Sequence, residues 1–176
     1  AFKSNNIDLL ENKVAACKPT ELDLKTPLDQ AFRDILLDLL AEEVNVAVLK
    51  SFVEFSILSC RKNLNTPTVP VVLLGDIFDT ITLDTCQEMF NFVEDNVQVW
   101  KEELFFTGCK NNLLRLCNDL LRRLSRTTAT VFCGKILLFL AKFFPFSERS
   151  GIIVKHKGRL IVTLFIYPYF FRPKYC

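Results

Sequence analysis

Histidine is almost missing from this 176-residue chain, and His156 stands alone. One histidine cannot build a His-rich metal site. The seven cysteines, at positions 17, 60, 86, 109, 117, 133 and 176, include no CxxC pair. A structural zinc site takes about four ligands, usually in close pairs, so this pattern gives no basis for one. Glycine is scarce, with five residues, and neither GxGxxG nor GxxxxGK[ST] occurs. The phosphate-cradling loops built on those spacings are therefore excluded. An excess of one charge is lacking too: 22 basic and 20 acidic residues leave a net charge of +2. A free-standing nucleic-acid-binding domain usually shows a larger basic excess or a clear basic face. The longest apolar run, Leu160 to Phe171, is interrupted by Pro168. It falls short of the roughly 20 residues that span a bilayer.

What is present reads as a globular core. Half of the residues are hydrophobic and 24% are charged, a balance typical of folded rather than disordered chains. The cysteines are odd in number and mostly sit within apolar helical patterns. They read as buried free thiols of a reducing compartment, cytoplasm or nucleus. Lys3, Asp8, Glu11 and Lys13 stand where the apolar stretch of a signal peptide would sit. Ala1 in place of Met reads as a fragment or a processed product.

Helical spacing dominates the chain. Residues 5–16 form a short first helix on this reading, ended by Lys18-Pro19-Thr20. Thr26-Pro27 opens the next, with Thr26 as cap and Pro27 at the first helical position. Leu28, Phe32, Ile35, Leu36, Leu39 and Leu40 mark its buried face, and Asp29, Arg33 and Asp34 its outer side. A third helix covers 44–60. Arg61 to Pro70, with Asn63, Asn65, Pro67 and Pro70, is the clearest loop. Val71 to Phe78 has a strand-like composition but no partner strand nearby, so a short buried helix is expected. Leu83, Cys86, Met89, Phe90, Val93, Val97 and Trp100 keep helical register over about five turns. A break is expected near Thr107-Gly108. After it, Leu113, Leu116, Cys117, Leu120, Leu121 and Leu124 form one stripe. Residues 131–144 are apolar almost all round; at that length, with Lys135 and Lys142, they read as a core helix rather than a membrane span. The fold class is thus all-α: a single domain of seven or eight helices. A HEAT-like helical stack is compatible with it, although no clean repeat recurs.

Few residues carry chemistry. His156 sits in Lys155-His156-Lys157, which reads as an exposed basic stretch. Asp76, Asp79 and Asp84 lack the loop spacing of a calcium site, so capping and turn roles are expected. No catalytic residue, metal ligand or cofactor site is assigned. The best candidate surface is Arg115, Arg122, Arg123 and Arg126, four arginines on one helix with Asp119 among them. The plain reading is a solvated face with internal ion pairs. The sharper one is a partner contact, because arginine is enriched at interfaces and forks onto carboxylates.

Several stretches resemble THO complex subunit 1, a transcription elongation factor family. They are Leu28-Asp29-Gln30-Ala31-Phe32-Arg33, Val72-Leu73-Leu74-Gly75-Asp76 with Leu83-Asp84 and Phe92-Val93-Glu94, and Leu113-Leu114-Arg115. The run Cys117-Asn118-Asp119-Leu120-Leu121-Arg122-Arg123-Leu124-Ser125 is the most specific. Thr130-Val131-Phe132-Cys133-Gly134-Lys135, Phe139-Leu140-Ala141, Ser147-Glu148 and Ser150-Gly151 complete the set. The resemblance implies a helical, non-catalytic scaffold subunit of the nuclear THO/TREX complex. That complex acts in transcription elongation, messenger RNA processing and mRNA export. The expected partners are other THO subunits, with a DEAD-box RNA helicase and an export adaptor reached through the complex. RNA contact would be mostly indirect, with no membrane partner. Residues 1–151 would be the THO subunit 1-like helical domain. The family is longer and ends in a death domain that this sequence does not contain. Residues 152–176, basic and then apolar, depart from the family and read as an alternative or mispredicted end, such as translated intron. Two other readings stay open: a membrane-associated helical protein using 131–144 and the tail, and a direct nucleic-acid binder using the arginine helix.

Overall fold

The computed structural model describes residues 2, 6–16, 24–124 and 130–144, and the backbone of 151–156 and 159–164. Eight helices occur among the described residues: α1 Ile7–Ala16, α2 Lys25–Ala41, α3 Val46–Arg61, α4 Val69–Thr80, α5 Leu83–Asp95, α6 Val97–Lys101, α7 Glu103–Leu124 and α8 Thr130–Phe143. The all-α expectation holds through this helical region. Beyond it, β1 (Gly151–His156) and β2 (Arg159–Leu164) pair antiparallel, in register from Gly151–Leu164 to His156–Arg159. The chain divides into two compact units, Ala1–Leu116 and Cys117–Cys176, and the division falls within α7.

Helix α3 is the centre of the first unit. Its 16 residues include Leu49, Phe52, Val53, Phe55, Ile57 and Cys60, all buried. It packs against α1, α4 and α5. Asn45 starts it: the extended backbone there leaves the side-chain oxygen to accept from Ala47 N at 3.1 Å, filling one of the donors a helix start leaves open. Asn63 ends it. With φ 57° it takes the left-handed conformation that asparagine tolerates. Asn63 N then donates to Cys60 O, and Leu64 N to Ser59 O. These two bonds form the Schellman closure of a helix end. The same closure ends α2, with Glu43 at φ 48° and donors from Glu43 and Val44 to Leu40 and Leu39. Phe32 of α2 meets Phe52 and Phe55 of α3 at ring distances of 5.6 and 6.1 Å.

Val71 to Phe78 lies within α4, which buries Val71, Leu73, Leu74, Ile77 and Phe78. The helix therefore wins over the strand-like composition, and Pro70 stands harmlessly in its first turn. Three local expectations change. Thr26 is not the cap of α2: Leu24 is, without a side-chain bond, and the helix starts at Lys25. The register from Leu83 to Trp100 does not make one helix, because Asn96 breaks it. Asn96 Nδ2 folds back on Phe92 O at 2.9 Å. Trp100 Nε1 then donates to Val93 O at 3.0 Å, satisfying a carbonyl that the end of α5 leaves open. Lastly, no break occurs at Thr107-Gly108. The break lies at Glu102, and α7 runs through both residues. Gly108 is there for closeness: a Cβ on it would stand 3.3 Å from Thr68 Cγ2.

Thr68 belongs to a connection that looks like surface loop by composition but is bonded on several sides. Asp29 of α2 accepts from Asn65 Nδ2 at 2.9 Å, Thr66 N at 3.2 Å and Thr66 Oγ1 at 2.7 Å. Ser59 Oγ of α3 donates to Asn65 Oδ1. Cys60 Sγ donates to Thr66 O, and Cys109 Sγ of α7 to the next carbonyl, Pro67 O. Asn65 is 1% exposed as a result.

In the second unit, α8 buries Phe132, Ile136, Phe139, Leu140 and Phe143. Phe139 and Phe143 stack at 5.9 Å. Among the described residues, no helix is long and apolar enough to cross a membrane.

Candidate interaction surface

Helix α7 is amphipathic by spacing. Phe105, Cys109, Leu113, Leu116, Cys117, Leu120 and Leu124 are buried, along one face of the helix. Polar residues fill the remaining positions. Arg115 is exposed, as is Arg122, while Arg123 is half-buried and Arg126 lies outside the described residues. Arg122 Nη1 pairs with Asp119 Oδ1 at 3.2 Å, with side chains 56% and 58% exposed. A pair so open to solvent adds only about 0.2–1 kcal/mol, so it leaves Arg122 able to turn to a stronger carboxylate. Near the start of α7, Lys110 Nζ stands 5.7 Å above the Phe106 ring.

Other polar groups tie helices together. Arg33 grips both carboxylate oxygens of Asp76, at 3.0 and 3.2 Å, joining α2 to α4. Asp76 is thus an inter-helix partner rather than a cap, and Arg33 does not simply face water. Asp84 sits in the first turn of α5, where a negative charge suits the helix dipole. Arg61 of α3 pairs with Glu102 at 2.6 Å and Lys50 with Glu88 at 3.0 Å. Lys62 reaches Glu11 of α1 at 2.9 Å, and that hydrogen bond holds its ammonium pKa above the ordinary value. His156 lies in β1, and its side chain falls outside the described part.

Three of the described thiols, Cys60, Cys109 and Cys117, are chemically quiet. Burial, helped by Asp29 and Cys109, pushes Cys60 from 9.0 up to about 12, and burial alone takes Cys109 to about 12. Burial raises Cys117 as well. The thiolate is the reactive form, so burial that disfavours it slows alkylation near neutral pH. Cys133 is less buried. Under native conditions, peptide mapping after iodoacetamide treatment should find Cys133 modified and Cys60, Cys109 and Cys117 intact. All of them should react after unfolding. Equal native labelling of Cys60 and Cys133 would contradict the buried assignment. Among the described residues, no three His, Cys, Asp or Glu side chains group as metal ligands would.

Through its helical region the chain is all-α, and several of its polar pairs join one helix to another. Its family follows from comparison. The model of the THO complex subunit 1 transcription elongation factor family matches residues 49–154. The chain therefore belongs to that family. It is 42% identical to THO complex subunit 1 of Homo sapiens over 166 residues, covering 94% of this chain and 25% of that protein. The Mus musculus protein gives 41% over the same span. THO complex subunit 1 of Arabidopsis thaliana is 48% identical over 84 residues, 47% of this chain and 14% of that protein. The chain thus spans about a quarter of the length of its mammalian relatives. No solved structure matches it.

Proposed function

We propose that this chain is a non-catalytic scaffold segment of THO complex subunit 1, working in the nucleus. There it would help couple transcription elongation to messenger RNA processing and export. The observation that carries this reading is the 42% identity to the human subunit across 94% of the chain. Its direct partners are other THO subunits, and a DEAD-box helicase and an export adaptor engage through the complex rather than on this segment. Residues 1–151 are taken as the working domain and 152–176 as a tail; the family model covers residues 49–154, while the alignment with the human subunit takes in 94% of the chain and so runs past residue 151.

Arg115, Arg122 and Arg123 on α7, with Arg126 just beyond it, are the proposed partner contact. Arginine at the centre of an interface contributes roughly 1–2 kcal/mol, or about tenfold or more in affinity. The test is affinity capture of the tagged chain from nuclear extract, read by mass spectrometry. Other THO subunits should be recovered, and Arg122→Glu with Arg123→Glu should lower their yield about tenfold with an unchanged circular dichroism spectrum. Full capture by that folded variant would remove α7 from the interface. A folded wild-type chain that captures no THO subunit would overturn the scaffold assignment for this segment.

A further inference from the structure

Among the described residues, α1 is the one helix with no buried side chain. Its pattern is regular all the same. Ile7, Leu10 and Val14 are half-buried at steps of three and four. Asn6 caps it, with Oδ1 accepting from Leu9 N at 3.0 Å. Helix α1 packs on α3, and two fastenings hold it there. Lys62, the C-cap of α3, reaches Glu11 at 2.9 Å and Asp8 at 3.7 Å. Those side chains are 45% exposed for Lys62, 46% for Glu11 and 74% for Asp8. Ahead of the helix, Phe2 stands edge-on to Phe52 at 4.8 Å and to Phe55 at 5.8 Å. The same two rings meet Phe32 of α2. With Phe2 in place, Phe52 is 0% and Phe55 3% exposed.

We propose that α1 and Phe2 form a strap over α3, fastened by Lys62, which lifts as a unit without global unfolding and controls exposure of the Phe52 and Phe55 rings. A helix of ten residues does not persist alone in water, so α1 stays folded only while it lies on α3. Half-buried side chains give it little area for that. Ion pairs this open to solvent add little and weaken further in salt. Helix α3 does not depend on the strap in the same way. It buries nine of its own residues and keeps its packing on α4, α5 and Phe32 when α1 leaves. Segments that open locally are those with few buried apolar contacts, and α1 is such a segment. The inference concerns α1 and stands apart from the arginine contact on α7.

The test is native-state hydrogen exchange of the full 176-residue chain, read by mass spectrometry of peptides from α1 and α3. Amides of α1 should exchange at least about tenfold faster than those of α3, yet slower than in an unstructured peptide. Raising sodium chloride from about 0.05 to about 0.5 M should speed α1 about threefold and leave α3 unchanged. Lys62→Ala should speed α1 by about the same factor at low salt and remove most of the salt response. Lys62→Glu combined with Glu11→Lys should restore slow exchange, which a merely disturbed end of α3 would not do. Phe2→Ala should speed α1 further and raise the fluorescence of an added anilinonaphthalene sulfonate dye, with α3 still protected. Protection of α1 equal to that of α3 would overturn the proposal, as would exchange at the unstructured rate. Indifference of α1 to both salt and Lys62→Ala would remove the fastening. Loss of α3 protection together with α1 in Phe2→Ala would make α1 part of the core rather than a strap upon it.

Discussion

Trp100→Ala is expected to lower the free energy of unfolding by about 3–5 kcal/mol. Trp100 is fully buried and stands edge-on to Phe105 at 6.4 Å. Truncation removes the largest side chain of the core and leaves a cavity that its neighbours fill only in part. It also removes the donor to Val93 O, re-opening a carbonyl at the end of α5. The loss should thus fall where α5, α6 and the start of α7 meet. Urea unfolding followed by far-ultraviolet circular dichroism is the measurement, because the substitution deletes the chain's one tryptophan and its fluorescence. The midpoint should fall with little change of slope. A loss below about 1.5 kcal/mol would mean that the site collapses around the alanine, contrary to the packing described.

The second large effect is at Asp29. Asp29→Ala should cost about 2–3 kcal/mol, since Asn65 Nδ2, Thr66 N and Thr66 Oγ1 lose their acceptor together. Each donor left dry costs about 1–3 kcal/mol, and water reaching the half-buried site recovers part of the sum. Asp34→Ala, on the exposed face of the same helix, should change stability by less than about 0.5 kcal/mol. Its hydrogen bond is to Gln30, also exposed. Thermal unfolding of the two variants side by side gives the comparison. If Asp34→Ala proved as costly as Asp29→Ala, the bonded connection after α3 would not be what makes Asp29 matter.

Asp29 also shows where reading the sequence stops. Spacing in α2 separates Phe32 and Leu36, which are buried, from the polar residues, but it also counts Ile35 to the buried face, and Ile35 is 40% exposed. It correctly puts Asp29 and Arg33 outside the apolar stripe. It cannot tell that Asn65, Thr66 and Asp76, from distant parts of the chain, come to meet them. Local chemistry misleads in a similar way at Gly108. Glycine next to threonine reads as a break, yet closeness to Thr68 sets the residue and the helix continues. At Asn96 the reverse holds: apolar register runs on to Trp100 while a side-chain bond to the backbone ends α5. The buried helix α4 was legible because a lone strand has no partner for its backbone. In the tail, the β-branched clusters Ile152-Ile153-Val154 and Ile161-Val162-Thr163 were the available sign of the hairpin. On α7 the arginine positions were legible, but the half-burial of Arg123 beside exposed Arg122 depends on packing.

The connection between α3 and α4 has a bearing on how such chains can diverge. Cys60 and Cys109, from α3 and α7, each hold one of two successive carbonyls, Thr66 O and Pro67 O. One residue inserted or deleted in 62–68 would put the two carbonyls out of step with the two thiols. Replacing Asn65 or Thr66 costs their bonds to Asp29, but a change of length disturbs both clasps together. The turn after α2, closed only by its own backbone at Glu43 and Val44, carries no such clasp. Among descendants of this fold, insertions should accumulate at the second junction and be purged from the first.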